Sequence, residues 1–266
     1  MSGFYQRLQG FARARRICTA LVVGILAQAL VPITASASEN GNSSREEVYR
    51  GIYLIAVPPA ADETFDIPVM GPDQALAVIR GAIDILYERS PYNTDKLEEL
   101  KAAGDVVIIY DPRFPEWTRG DVTLAAFLPD FFEPASLAQG ETVFVAMLGR
   151  YIIQHSPAEI AAEGIVHELV GHGLQHLHGR LEKMSGLNVE CEASLYELQA
   201  FQDLGTDKFT GHMVRFRQEL EKRNCDDFKR FMQKRKPWLM PLWDELNVDV
   251  KQILMIFEEY AAQLPK

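Results

Sequence analysis

The amino-acid sequence predicts an α+β fold, and two observations carry that expectation. Apolar, partly β-branched runs lie in the first half of the chain, at residues 49–57 and 106–110. From residue 157 onward the apolar positions recur at helical spacing almost to the end. Strands grouped early and helices grouped late are the order of an α+β chain.

The elements follow in order. Residues 38–46 are polar and rich in Asn, Gly and Ser, which predicts a flexible lead-in. Residues 49–57 read as one strand, and Pro58-Pro59 opens a loop to Gly71. Leu76, Val78, Ile79, Ile83 and Leu86 share one face of a helix over 73–89. Thr94 reads as the cap of a second helix, with Gly104 at its end. Residues 106–110 form a buried strand stopped by Asp111-Pro112, and 123–128 and 142–148 are further strands. Ser156 as cap and Pro157 at the first helical position open a long helix towards Leu181. A second helix spans 188–204 and stops at Gly205, and residues 207–266 are helical with breaks at Pro237 and Pro241. Trp238 and Trp243 are expected to pack this tail.

Residues 1–37 predict a removable export signal. Arg7, Arg13, Arg15 and Arg16 form a basic start without acids, and 17–33 are mainly apolar. Ala35-Ser36-Ala37 fits the small-x-small cleavage rule. The apolar run is short for a membrane span and is broken by Pro32, so no stable anchor is expected after cleavage. Residues 38–266 then form a single domain of 229 residues, long enough for its own core. Loss of four arginines moves the net charge from −10 to −14. A chain so acidic is ill suited to nucleic acid, whose phosphates need basic patches. The expected location is periplasmic or secreted, where Cys191 and Cys225 are able to pair.

Four histidines fall close together: His167, His172, His176 and His178. Neutral imidazole is a good zinc ligand, and a neighbouring carboxylate can take the proton of a zinc-activated water. Glu168 directly follows His167 and suits that role. The usual helical motif places two histidines at i and i+4, whereas His167 and His172 stand at i and i+5. On a regular helix they point about 140° apart. A π-bulge would swing them together, and Gly171 and Gly173 make such a distortion cheaper. A rival set of Glu168, His172 and His176 is aligned on a regular helix, but it spends the base on the metal. The third ligand is expected from the next helix, at Glu190-Cys191-Glu192-Ala193. Glu190 and Glu197 share a face of that helix and Glu192 does not. Tyr151, Arg180, Tyr196 and His212 are weaker candidates for stabilising an oxyanion.

His167-Glu168-Leu169-Val170-Gly171-His172 resembles the expanded HExxGH motif of the dipeptidyl peptidase III family. Glu190-Cys191-Glu192-Ala193 is similar to that family's second motif, whose arginine and last glutamate are Glu192 and Ser194 here. The match covers about residues 165–195. The resemblance implies His167, His172 and Glu190 as ligands of one Zn2+ and Glu168 as general base. More broadly it implies a gluzincin-type arrangement, in which an edge strand binds extended substrate by β-addition. The expectation is therefore an exported zinc-dependent metallohydrolase acting on a peptide or protein. The alternative is a non-catalytic metal- or peptide-binding protein on the same scaffold.

Overall fold

A computed structural model of the chain describes residues 43–114, 124–132, 141–154, 158–244 and 248–264. The expected export signal, Thr123 and the expected helix start at Ser156-Pro157 lie outside the described residues.

The fold is α+β, with a five-stranded sheet in the N-terminal half and helices filling the rest. Strands β1 (Arg45–Tyr49) and β2 (Ile52–Ala56) form a hairpin whose two-residue turn is Arg50-Gly51. Both turn residues have positive φ, 48° and 79°, as the twist of a two-residue hairpin requires. This corrects the reading of one strand after a flexible lead-in. The charges of β1 are those of an edge strand and find partners on the first helix: Arg45 with Asp73, and Glu47 with Arg80.

Helix α1 (Pro72–Arg89) buries Leu76, Ile79, Ile83 and Leu86, as their spacing predicts, while Val78 is partly buried against the same core. Helix α2 (Pro91–Ala103) starts at Pro91 and ends at Gly104. Thr94 is therefore not a cap. It sits inside the first turn, and its hydroxyl donates to the Leu86 carbonyl.

Strand β3 (Asp105–Tyr110) lies between β2 and β5 (Val143–Leu148), parallel to both. Strand β4 (Ala125–Phe127) runs antiparallel along the outer side of β5 and closes the order β1-β2-β3-β5-β4. Alternation separates two cores. Leu54, Ile108, Phe144 and Ala146 face the helices, while Ile55, Val107, Ile109 and Val145 face a smaller cluster with Phe131 and Phe132.

After α3 (Arg150–Gln154) comes one continuous helical rod in three parts. Helix α4 covers Ala158–Ile165, a π-helical segment covers Val166–Gly173, and α5 covers Leu174–Leu177. The chain turns at Gly179, with φ 61°, and returns as α6 (Gly186–Leu204). Ser185 caps α6 by accepting from the Asn188 N–H, and Gly205 ends it in the left-handed region at φ 74°.

Helix α7 (Gly211–Glu219), a second π-helical segment (Leu220–Asn224) and α8 (Asp226–Arg235) follow. Pro237 and Pro241 each open a short helix, a 3₁₀ turn at Pro237–Leu239 and α9 (Pro241–Asp244). The last helix is α10 (Val250–Ala261). Trp243 packs the tail, meeting Phe228, whereas Trp238 is 70% exposed and packs nothing of it. A disulfide joins Cys191 of α6 to Cys225 at the start of α8.

Candidate metal centre

The π-helical segment solves the spacing problem of the histidines. One additional residue per turn rotates His172 back onto the face of His167. Their ring centroids lie 4.9 Å apart, with the planes at 79°. The same rotation separates the rival ligand set. His176 is carried away to pack against the rings of Phe127 and Phe144.

Glycine has a different part here from the one the sequence suggests. Neither Gly171 nor Gly173 has positive φ. A Cβ on Gly171 would stand 2.6 Å from both Cα and Cβ of Ala193 on α6. Gly171 thus lets the motif helix and α6 touch backbone to backbone, which brings Glu190 over the two imidazoles. A Cβ on Gly173 would press on Leu100 at 3.0 Å.

Hydrogen bonds fix the direction of both rings. Glu197 Oε2 is 2.8 Å from His167 Nδ1, and a carboxylate only accepts, so Nδ1 carries the hydrogen. Gln175 Nε2 donates to the Val189 carbonyl at 2.7 Å, which turns Gln175 Oε1 towards His172. That oxygen lies 3.0 Å from His172 Nδ1 and accepts from it. Both Nε2 atoms are left facing Glu190. Its Oε2 is 3.4 Å from His167 Nε2, and its Oε1 is 3.8 Å from His172 Nε2.

His167, His172 and Glu190 each offer a ligand atom within 4.8 Å of the others. The donor set fits zinc: ligand bonds of ~2.0–2.2 Å in a tetrahedron put neighbouring donors ~3.3 Å apart. Two imidazoles and one carboxylate, oriented from behind by a carboxylate and an amide, are also the usual pattern of three protein ligands with outer support.

The remaining expected residues take other places. Glu168 is buried beside the cluster, where it accepts from the Phe127 N–H of β4. Burial pushes its carboxyl up from the ordinary range, against the pull of His167, His172 and that N–H. His167 is itself lowered by burial, but Glu197 and Glu190 outweigh this and hold it well above the ordinary imidazole value. Glu190 is lowered, chiefly by its hydrogen bond with His167. Glu197 orients His167 from the far side, away from the point where the two Nε2 atoms converge. Glu192 turns into the protein, where it pairs with Arg180, and burial pushes it up to about 7.

The four oxyanion candidates are engaged elsewhere. Tyr151 bonds Asp66, Arg180 bonds Glu192, Tyr196 stacks on Tyr92, and His212 meets Phe201. Gln175 was not singled out from the sequence, although it follows His172 by three residues and so shares its helix face.

Strand β4 borders the site at the sheet edge. Leu124 and Leu128 make their backbone bonds to the β5 side, through Gly149 N and Val145 O. The alternation of an antiparallel pair then turns the peptide groups of Ala125 and Phe127 outward. Of the two strand stretches expected near the motif, 123–128 supplies the edge, and β5 is interior to the sheet.

Comparison with known protein families, curated proteins and solved structures finds no match for this chain.

Proposed function

We propose that this chain is an exported zinc-dependent hydrolase of gluzincin type that cleaves peptide bonds. One observation carries the reading: the Nε2 atoms of His167 and His172 converge with Glu190, while Glu168 is held beside them against an edge strand. The local resemblance to the dipeptidyl peptidase III motifs supports the same assignment. The Cys191–Cys225 disulfide supports an oxidising destination, in keeping with the signal at residues 1–37.

His167, His172 and Glu190 would hold the zinc, with Glu197 and Gln175 fixing the ring orientations. A zinc ion there supplies Lewis acidity for a carbonyl and lowers the pKa of a bound water. Glu168 takes a proton from the attacking water and returns it to the leaving amine. The outward N–H and carbonyl of Ala125 and the outward carbonyl of Phe127, whose N–H is taken by Glu168, align an extended peptide by strand addition. Burial of the motif helix between α6 and the sheet keeps these groups in register.

The test is Glu168→Gln. The expected result is a protein that retains its zinc and loses at least about a hundredfold in peptide hydrolysis, the scale of general acid–base catalysis. Release of zinc by the substitution would instead make Glu168 a ligand. Retained zinc with no hydrolysis in either protein, across a random peptide library, would leave a metal-binding protein without this activity.

A further inference from the structure

Consecutive residues near the start of α6 carry the candidate centre and its anchorage together. The Val189 carbonyl accepts from Gln175, the amide that orients His172. Glu190 faces the Nε2 atoms of both imidazoles. Cys191 is bonded to Cys225, and Asn188 accepts from the Tyr260 hydroxyl at 3.2 Å. One short stretch thus supplies a ligand, fixes a second ligand and is tied to the C-terminal helices on either side of Glu190.

Little holds this stretch from its N-terminal side. Ser185, Gly186 and Leu187, where α6 begins, are exposed, and a Cβ on Gly186 would meet nothing. Helix ends with so few buried contacts open locally at little cost. Gly171 meets Ala193 by contact alone. Glu192 pairs with Arg180, which itself stands in the turn before α6. Glu190 makes no hydrogen bond or ion pair among the described residues except with the two histidines.

The other end of the bridge is firmly seated. The Cys225 N–H donates to the Leu220 carbonyl, and Leu220 is buried in the core. Three residues on, Phe228 is fully buried against the rings of Trp243, Phe257 and Tyr260. Both cysteines are 0% exposed. The disulfide therefore joins an exposed helix start to a packed aromatic base, at the residue directly after Glu190.

We infer that the Cys191–Cys225 bridge sets the zinc affinity of the site, which is complete only in the oxidised chain. Both cysteines are positioning residues that touch neither metal nor substrate. With the bridge closed, Glu190 and the Gln175–Val189 bond stay in register with the histidines. A dithiol reductant opens the bridge by thiol–disulfide exchange. The S–S bond takes up two electrons and two protons to give two thiols, and the dithiol becomes a disulfide. The first turns of α6 are then free to move, and Glu190 leaves the histidines in part of the population. A chain in a reducing compartment would hold zinc weakly, and the site would be completed where disulfides form. This inference rests on the proposed zinc reading of His167, His172 and Glu190.

The experiment compares zinc affinity in the oxidised chain and in the chain reduced with a phosphine, which adds no thiol ligand for zinc. Competition with a chromogenic chelator gives the affinity, and thiol titration in denaturant confirms that the bridge is open. The reduced chain should bind zinc at least about tenfold more weakly, the scale of lost support around a ligand, and re-oxidation should restore the affinity. Cys191→Ala/Cys225→Ala should bind as the reduced chain does and should not respond to the phosphine. Near-UV circular dichroism, which reads the aromatic cluster around Phe228, should be unchanged throughout. Ile79→Ala, a cavity in the buried face of α1, should lower the thermal midpoint and keep the oxidised affinity.

Equal affinity of the oxidised and reduced chains overturns the inference and leaves the zinc site standing. Zinc loss that comes only with loss of the near-UV signal also overturns it, because the bridge then supports the fold rather than the site. The same holds if Ile79→Ala binds as weakly as the reduced chain. An oxidised chain that binds no zinc removes the zinc reading and the inference with it. Redox-dependent affinity without peptide hydrolysis upholds the inference and removes the peptidase reading.

Discussion

Glu163 lies one helical turn before His167 and is 3% exposed. Its carboxyl accepts from the Thr206 hydroxyl at 3.0 Å, and the charges of Glu197 and Glu159 act on it. Burial pushes it up to about 7, with the two acids adding and Thr206 opposing. The folded protein therefore holds a proton that the unfolded chain has already released between the ordinary value of 4.5 and about 7. Stability falls as pH rises through that window and is level above it.

Glu163→Gln keeps an acceptor for Thr206 and removes the ionisation. The substitution should raise stability by about 1–3 kcal/mol at about pH 8 and change it little at about pH 4. Urea unfolding at the two pH values checks this, and an equal effect at both would mean that Glu163 is not held neutral by burial. Gly171 is the complementary case, a residue whose importance is space. An alanine there must push Ala193, and with it Glu190, away from the histidines. Gly171→Ala should cost about 1–3 kcal/mol of stability, the usual penalty for overpacking. Zinc titration of the folded variant should show weaker binding as well, and unchanged affinity would mean that the two helices need not touch.

At the scale of elements, what was legible in the sequence is what depends on local pattern. The buried face of α1, strand β3 and the glycine stop of α6 are all written as short-range periodicity or a single special φ. The histidine pair was legible as a problem with two solutions, a π-bulge or a different ligand set. What decides between them is the approach of α6 through Gly171 and Ala193, which is tertiary. The hairpin was missed because β1, at the sheet edge, carries Arg45, Glu46 and Glu47 and shows little of the apolar alternation of a covered strand. Glu197 and Glu190 share a helix face and could not be ranked from spacing. The structure separates them by reach: Glu197 meets Nδ1 of His167, and Glu190 meets the side where both Nε2 atoms converge. Ser90 shows the same limit, since its hydroxyl binds Asp203 from a distant helix instead of capping α2.

At the scale of the whole molecule, the sheet edge, the motif helix and α6 meet at one place. Strand β4 offers its outward edge, the motif helix lies against it, and α6 closes over the motif helix from the other side. The disulfide ties α6 to the C-terminal helices at the residue next to Glu190. The central claim is that this meeting point is a zinc site of two imidazoles and one carboxylate. X-ray absorption at the zinc edge, on residues 38–266 purified from zinc-replete medium, tests it most directly. The account predicts about one zinc per chain, bound by nitrogen and oxygen at ~2.0–2.2 Å without sulfur. One imidazole should disappear from the spectrum in His172→Ala, and the first shell should be unchanged in Glu197→Gln. A chain without zinc, or a zinc spectrum that His172→Ala leaves untouched, would contradict it.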